Sequence, residues 1–307
     1  MTYINQRVAY GNTLVELGKE DKRIVVLDAD LGGSTMGKLF EAAYPERHFE
    51  MGIAEANMTS VAAGLAQTGK IPFTNSFAVF AAGRAYDQIR QTISIGNLNV
   101  KICGSSSGMS DFGDGATHQA VEDMAIMRAI PNMTVICPAD ANETVQAVKA
   151  MVNTEGPCYL RLNRNDYENV TPEDKPFEIG VPTVLREGSD IVVFATGIMV
   201  GMALEAAKEL EDELSVKVVN VSTIKPMNQE VILALVEDCK AVVTAEEHSI
   251  IGGLGSAISE VLRKSCKPIE YVGVNDTFGS SAHCYSDVLN YYGLTKEHIM
   301  EAIRKMA

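Results

Sequence analysis

The sequence predicts an α/β protein made of two three-layer α/β/α domains with mainly parallel sheets. Short apolar runs of strand length alternate with helix-length stretches of 3.6-residue period along most of the chain. The alternation is interrupted at residues 163–190, "NRNDYENVTPEDKPFEIGVPTVLREGSD", which are polar and carry three prolines. It then resumes with the same rhythm, so the second domain repeats the class of the first.

The elements follow in order. "RVAYGNTLVELGKED" reads as a helix, "RIVVLDAD" as a strand running into a turn, and "EANMTSVAAGLAQTG" as a helix stopped by Gly69. "NVKICGSS" reads as a strand, "THQAVEDMAIMRAIP" as a helix ending at Pro131, and "MTVICPAD" as a strand. "NETVQAVKAMVNTEG" is a helix with Gly156 after it. The boundary falls in the polar stretch, with room for a short hairpin, giving domains at 1–165 and 189–307 joined by a linker at 166–188. Beyond it "DIVVFATG", "SVKVVNVST", "KAVVTAEEH" and "PIEYVGV" read as strands. "MVGMALEAAKELEDE", "NQEVILALVEDC" and "LGSAISEVLRKSC" read as helices, and "TKEHIMEAIRKM" as a terminal helix that Thr295 could cap.

Composition narrows the function. The 307 residues carry 26 Lys plus Arg against 40 Asp plus Glu, a formal net charge of -14, with no basic cluster. That disfavours nucleic acid or an anionic membrane surface as the main partner and leaves a small molecule or another protein. No apolar run approaches the ~18 residues of a membrane span. The first residues show neither a basic region followed by a purely apolar one nor a small-residue cleavage site, so export is not expected and a cytoplasmic location is. Six scattered cysteines without a CxxC pair read as buried free thiols.

The candidate site begins with "FEMGIAEANM", where Glu55 precedes the almost chargeless "TSVAAGLAQTG". A first-turn acid is favoured by the helix dipole, which is the ordinary account. Here the helix is apolar on nearly all sides and reads as buried, so a carboxylate at its mouth should be desolvated, which points to chemistry. In "NSFAVFAAGRAYDQIRQ", Phe77 and Phe80 lie three apart, followed by Arg84, Tyr86 and Arg90. Such a pair is usually core, but beside a buried acid it could wall a pocket for a flat heterocycle.

Together "DADLGGS", "FEMGIAEANM", "NSFAVFAAGRAYDQIRQ", "GMSDFGDGATHQAVEDMAIMRAIPNMTVICPAD" and "AEEHSIIGGLGS" resemble, in this order, the C-terminal half of transketolases. The likeness is strongest to the second subunit of split, two-chain transketolases and covers nearly the whole chain. It implies a pyrimidine-binding domain followed by a transketolase C-terminal domain. It also implies transfer of a two-carbon ketol unit from a ketose phosphate to an aldose phosphate through thiamine diphosphate, a reaction of carbohydrate metabolism typified by the pentose phosphate pathway. Glu55 would contact N1' of the cofactor's aminopyrimidine, with Phe77, Phe80 and Asp30 also on the cofactor. Ser34, Asp114, His118 and Arg164 would face the sugar phosphate.

Each has a plainer account: a strand-to-helix turn for "DLGGS", a cap for His118, an exposed arginine for Arg164, with Arg161 as a nearby competitor. Asp114 and Asn142 imitate the family's diphosphate and magnesium spacing. Asn142 instead reads as part of a helix cap, so no metal site is assigned to this chain. The resemblance then implies an N-terminal partner subunit carrying the diphosphate and Mg2+, with self-association giving a heterotetramer. Ser106 and Ser107 stand where many transketolases have a substrate-touching histidine, and Gly83 where some have a further ring, so a modified ketose is open as donor. His248 is left unassigned. The rival readings are the beta subunit of a 2-oxo acid dehydrogenase E1 component, a relative of deoxyxylulose-phosphate synthase, and a non-catalytic binding subunit.

Overall fold

A computed structural model describes residues 3–307. The chain runs β1 (Tyr3–Asn5), α1 (Gln6–Glu20), β2 (Ile24–Asp28), α2 (Gly32–Thr35), α3 (Gly37–Ala43), β3 (His48–Glu50), α4 (Glu55–Gln67) and β4 (Ile71–Phe77). Two π-helical turns, Val79–Arg84 and Ile89–Ser94, then flank α5 (Tyr86–Gln88). Next come β5 (Lys101–Ser105), α6 (Asp123–Ala129), β6 (Thr134–Ile136), α7 (Ala141–Val152), β7 (Cys158–Arg161), β8 (Asp166–Glu168) and β9 (Thr183–Arg186). The remainder is β10 (Ile191–Ala195), α8 (Met199–Glu209), β11 (Val216–Asn220), β12 (Thr223–Lys225), α9 (Gln229–Val236), β13 (Ala241–Ser249), α10 (Leu254–Leu262), β14 (Ile269–Val274), α11 (Tyr285–Tyr291) and α12 (Lys296–Met306).

The first sheet has the order β12-β6-β7-β5-β4-β2-β3 and is parallel except for β12. Its central strands β2, β4, β5 and β7 are buried on both faces. In β2, Ile24 and Val26 enter the core that includes Tyr10, Leu14 and Phe40 of α1 and α3 together with Ala147, Val148 and Met151 of α7. Val25 and Leu27 point the other way, toward Met58, Ala62, Ile89 and Met124. This period-two division with apolar residues on both sides is what a covered parallel sheet requires. The second sheet, β14-β13-β10-β11-β9, is parallel apart from β9, so the mainly parallel two-domain α/β reading holds.

The domains are interlocked. β12 follows β11 in the chain but pairs antiparallel with β6, so the second domain lends an edge strand to the first sheet. One core cluster continues across the seam, from Val135 and Met133 to Phe194, Val219, Leu254 and Ile258.

Several local expectations are corrected. The polar stretch holds no hairpin: β8 pairs antiparallel with β1, Ile4 opposite Tyr167, and β9 joins the second sheet. The helix read from Thr117 begins only at Asp123, because Gly115–Thr117 forms a separate 3-10 turn and Gly108 and Ala120 bridge across the loop. Thr295 stands at the N-cap of α12, but its hydroxyl meets His298 Nδ1 at 3.0 Å instead of a backbone N–H.

Candidate active site

The carboxyl ends of the first sheet's parallel strands converge where ligands bind open α/β sheets. β2 leads to Asp30, β4 ends at Phe77, β5 leads to Ser106 and β7 leads to Arg164, while Glu55 opens α4 just after β3.

Glu55 is 1% exposed and is not a lone acid. Arg84 Nη1 lies 2.9 Å from each of its carboxylate oxygens, and the arginine side chain is 49% exposed. The same guanidinium lies 4.4 Å from the centroid of Phe80. Phe80 and Phe77 stack at 6.3 Å with 18° between their planes. The edge of His118 meets both rings, at 5.3 and 6.2 Å, and the Arg164 guanidinium lies 5.9 Å from Phe77. Five sequence-predicted positions, Glu55, Phe77, Phe80, His118 and Arg164, thus gather around one aromatic pair. The π-helical turn carrying Phe80 and Arg84 is a backbone irregularity of the kind often found at functional sites.

Asp30, Ser34 and Asp114 make none of these contacts. Asp30 is exposed, has φ 59°, and donates its backbone N–H to Glu50 Oε1 at 2.7 Å. The same Glu50 oxygen accepts from Gly52 N–H, which ties the "DLGGS" turn to the loop before α4. Beneath that turn Asp28 is fully buried and accepts from the Thr35 hydroxyl at 2.8 Å. Asp28 Oδ2 also meets His48 Nε2 at 2.8 Å. A Cβ on Gly37 would fall 2.0 Å from Asp28 Oδ2, so that position has room only for glycine. Burial alone would lower the His48 pKa, but the hydrogen bond and charge of Asp28 hold it above the usual value. Asp114 is exposed on its loop.

The sequence reading missed Arg7. Its Nη1 donates to the Ser34 carbonyl at 2.8 Å and its Nη2 to the Arg164 carbonyl at 2.9 Å, bracing the two residues assigned to the sugar phosphate. Arg164 Nη1 itself donates to Asp111 at 2.6 Å. Nothing local in "INQRVAY" signals this, because the partners lie far along the chain. Arg161 is not a rival to Arg164: it is buried against Asp123, and its Nη2 donates to the carbonyls of Ala120 and Glu247. Burial would lower its pKa, but Asp123 and its other negative neighbours raise it.

Asn142 donates to the Thr171 carbonyl and accepts from Asn169, fastening the linker, while Asp140 caps α7 through Glu143 N–H. Ser106 and Ser107 are buried, the latter donating to the Leu162 carbonyl, so neither presents a hydroxyl at the surface. Asn75 Nδ2 and the hydroxyls of Ser76, Ser105 and Ser106 are buried at the ends of β4 and β5 without partners. Ser106 also has φ 51°. Unpaired buried polar atoms and a left-handed non-glycine residue, side by side, mark a strained edge of the kind retained at functional sites.

In the second domain "AEEHSIIGGLGS" divides its tasks by strand alternation. Glu246 accepts from the N–H groups of Leu254 and Gly255, so the anion at the start of α10 is the chain's own. Burial pushes its carboxyl up to about 7. His248 is buried and pushed down to about 4 by desolvation. Its Nδ1 faces the Ser249 carbonyl at 2.7 Å, and its Nε2 accepts from Ala125 N–H at 3.4 Å. Glu247 points oppositely, across the domain seam.

Two interlocked α/β domains, with a buried acid and an aromatic stack at the carboxyl edge of the first sheet, define the pyrimidine-binding and C-terminal half of the transketolase fold. Residues 2–169 match "Transketolase, pyrimidine binding domain" and residues 180–299 "Transketolase, C-terminal domain". The chain therefore belongs to the transketolase family, as the C-terminal section of its split, two-chain members. It is 46% identical over 98% of its length to a "Putative transketolase C-terminal section" of Methanocaldococcus jannaschii, 96% of which is covered. It is 43% identical to the "6-deoxy-6-sulfo-D-fructose transketolase subunit SqwH" of a Clostridium species, covering 98% of this chain and 94% of that one. The solved structure "Split gene transketolase, inactive beta4 tetramer" superposes with a TM-score of 0.91 at 48% identity, covering 99% of this chain and 98% of the other. Against the transketolase of Mus musculus the chain is 34% identical over 98% of its length but spans only 49% of the mouse protein. Among the described residues, no helix is long and apolar enough to cross a membrane.

Proposed function

We propose that this chain is the C-terminal subunit of a heteromeric transketolase that moves a two-carbon ketol unit from a ketose phosphate to an aldose phosphate. The observation that carries the reading is Glu55, buried at the head of α4 and joined through Arg84 to the stacked Phe77 and Phe80. The residues fit the aminopyrimidine end of thiamine diphosphate: a buried carboxylate for a ring nitrogen and aromatic faces for a flat ring. Bound there, the cofactor supplies the nucleophilic carbon and the electron sink that ketose cleavage needs.

Glu55, itself buried, would hold or release a proton at N1', with the half-exposed Arg84 as the partner it can give up. Phe77 and Phe80 wall the ring, and Asp30 borders it. Arg164 and Ser34, braced by Arg7, grip the sugar's phosphate, since a guanidinium fork suits that group. His118 and Asp114 face the sugar hydroxyls.

The diphosphate and Mg2+ belong in this reading to an N-terminal partner subunit. The outward face of α4 and its approach, Ile53, Asn57, Ser60, Val61 and Gly64, is uncharged and largely exposed, with Ile53 74% exposed, as suits a protein interface. A heterotetramer would follow from self-association, and we infer that the enzyme works in the cytoplasm. A modified ketose as donor gains support from two relatives named for unusual ketoses. One is the Clostridium protein, and the other is an apulose-4-phosphate transketolase chain of Phocaeicola vulgatus, 34% identical over 95% of this chain.

The test is two-carbon transfer by the chain assembled with its partner subunit, thiamine diphosphate and Mg2+, across ketose and aldose phosphates that include sulfonated and branched ketoses. Transfer that needs both chains and an aldose acceptor, with no carbon dioxide released, is expected. Oxidative release of carbon dioxide from a 2-oxo acid would replace this reading with an E1-type one.

A further inference from the structure

β13 ends with three consecutive buried polar residues, Glu246 to His248, before Ser249, and their side chains alternate between faces. Glu246 and His248 share the other face, their side chains 3.6 Å apart; Glu246 accepts from α10 of the second domain, and His248 Nε2 accepts from Ala125 N–H of the first. Glu247 projects to the opposite face and enters the first domain. Its Oε1 accepts from Met109 N–H at 2.8 Å and from the Tyr285 hydroxyl at 2.7 Å, and its Oε2 accepts from Asn163 Nδ2 at 3.0 Å. Its backbone carbonyl accepts from Arg161 Nη2 at 2.8 Å.

The two first-domain contacts lie beside a third pair. Met109 is two residues before Asp111, Asn163 is one residue before Arg164, and Arg164 donates to Asp111 at 2.6 Å. Asn165 closes the same knot, its N–H reaching Asn163 Oδ1 and its side chain the Ser110 carbonyl. One carboxylate therefore pins the roots of both loops whose tips form the Arg164–Asp111 pair. The first loop is shaped to admit it: Gly108 has φ 61°, and a Cβ there would fall 2.5 Å from Glu247 Cδ.

We propose that Glu247 is a positioning residue through which the C-terminal domain sets the aim of Arg164 at the substrate's phosphate. The proposal rests on the reading of Arg164 given above. It makes the C-terminal domain part of substrate recognition, although Glu247 touches no substrate itself. The physical reason is rigidity: a guanidinium on a long side chain discriminates only when its loop is held by a fully bonded support. Glu247→Gln keeps the shape but replaces one acceptor with an NH2 group, and either amide orientation sets that group against an N–H donor.

The test compares wild type, Glu247→Gln and Glu246→Gln, each assembled with the partner subunit and cofactor. KM and kcat are measured for a ketose phosphate and for the same ketose without its phosphate. In Glu247→Gln the KM for the phosphorylated donor should rise about tenfold, while the other KM and both kcat values change less than about twofold. Glu246→Gln loses a carboxylate that caps α10 and should lower stability without this phosphate-selective signature. An equal rise for both donors, no rise, or the same selective rise in Glu246→Gln would overturn the proposal.

Amide hydrogen exchange on the same assemblies needs no turnover. Faster exchange at 109–111 and 163–165 in Glu247→Gln alone is expected, and unchanged exchange there overturns the proposal. If wild type transfers nothing from either donor, the proposed function has failed, while the exchange result still decides whether Glu247 holds these loops.

Discussion

Two arginine–carboxylate pairs in the first domain have similar bond lengths and opposite surroundings. In Arg161–Asp123 both side chains are buried, at 3% and 1% exposure, and Tyr159, Ala120 and Glu247 complete the hydrogen bonding. In Arg84–Glu55 the acid is as buried, but the arginine is half in water and lies on an aromatic face instead of among acceptors. A closed, saturated pair has nothing left to offer a ligand. An open pair can exchange its arginine for another partner at modest cost, because water takes up the released guanidinium. Saturation, more than burial, separates the structural pair from the one proposed to act on a ligand.

The contrast between the pairs is exposed to four measurements, beginning with one on the cofactor. If Glu55 can be offered only a ring, calorimetry should show thiamine diphosphate binding at least about a hundredfold more weakly to the isolated chain than to the two-chain assembly, since most of the ligand's charge lies on its diphosphate. Tight binding to the isolated chain would contradict the open pair's role as half of a site.

Next comes stability. Arg161→Met strands the Asp123 carboxylate in the core and should cost about 3–5 kcal/mol in denaturant unfolding. Arg84→Met should cost only about 1 kcal/mol, because its pair is half solvated. Equal losses would show that saturation does not distinguish the pairs.

Arg164→Leu probes the site's outer rim. It should raise KM for a phosphorylated donor about tenfold with little change in kcat, as expected when a ground-state contact is removed. A fall in kcat at unchanged KM would move Arg164 from binding to chemistry.

The smallest effect is the pH dependence of stability at the domain seam. Burial raises the Glu246 and Glu247 carboxyls from the ordinary carboxylate value of 4.5 to about 7, so their contribution is complete below about 4.5 and is lost as pH rises through about 7. His248 is depressed to about 4, so its contribution is present above about 6.5 and is lost as pH falls through about 4. The two trends oppose each other between about 4.5 and 6.5. Glu246→Gln should therefore shift the slope of unfolding free energy against pH toward greater stability at higher pH, and an unchanged slope would contradict that assignment.

The parallel strands β2, β5, β6, β10, β11, β13 and β14 and the long helices were legible because apolar residues fill the faces of the strands and one side of the helices, whereas β3, β4, whose "IPFTNSF" mixes polar with apolar residues, and the four-residue β7 were not read. β2, α4 and β13 are read almost residue for residue. The three-residue strands β1, β8 and β12 were not, since their pairing is decided by partners distant in the chain and not by their own pattern. The helix read from Thr117 failed at its start because Gly115 and the Gly108–Ala120 bridge override an apolar period. In the site, Glu55, Phe77 and Phe80 could be singled out by residue type and spacing. Arg164 could be told from Arg161 only by resemblance, and the parts played by Arg7, Arg84 and Glu247 depend on contacts that no local signal reports.

That the open pair delivers the acid of a thiamine-diphosphate site is tested most directly by kcat for two-carbon transfer in wild-type and Glu55→Gln assemblies, each saturated with thiamine diphosphate and Mg2+. A fall of about 10²–10⁴-fold is expected in the variant, with assembly and thermal stability retained. A Glu55→Gln assembly that turns over at the wild-type rate would contradict that role for Glu55.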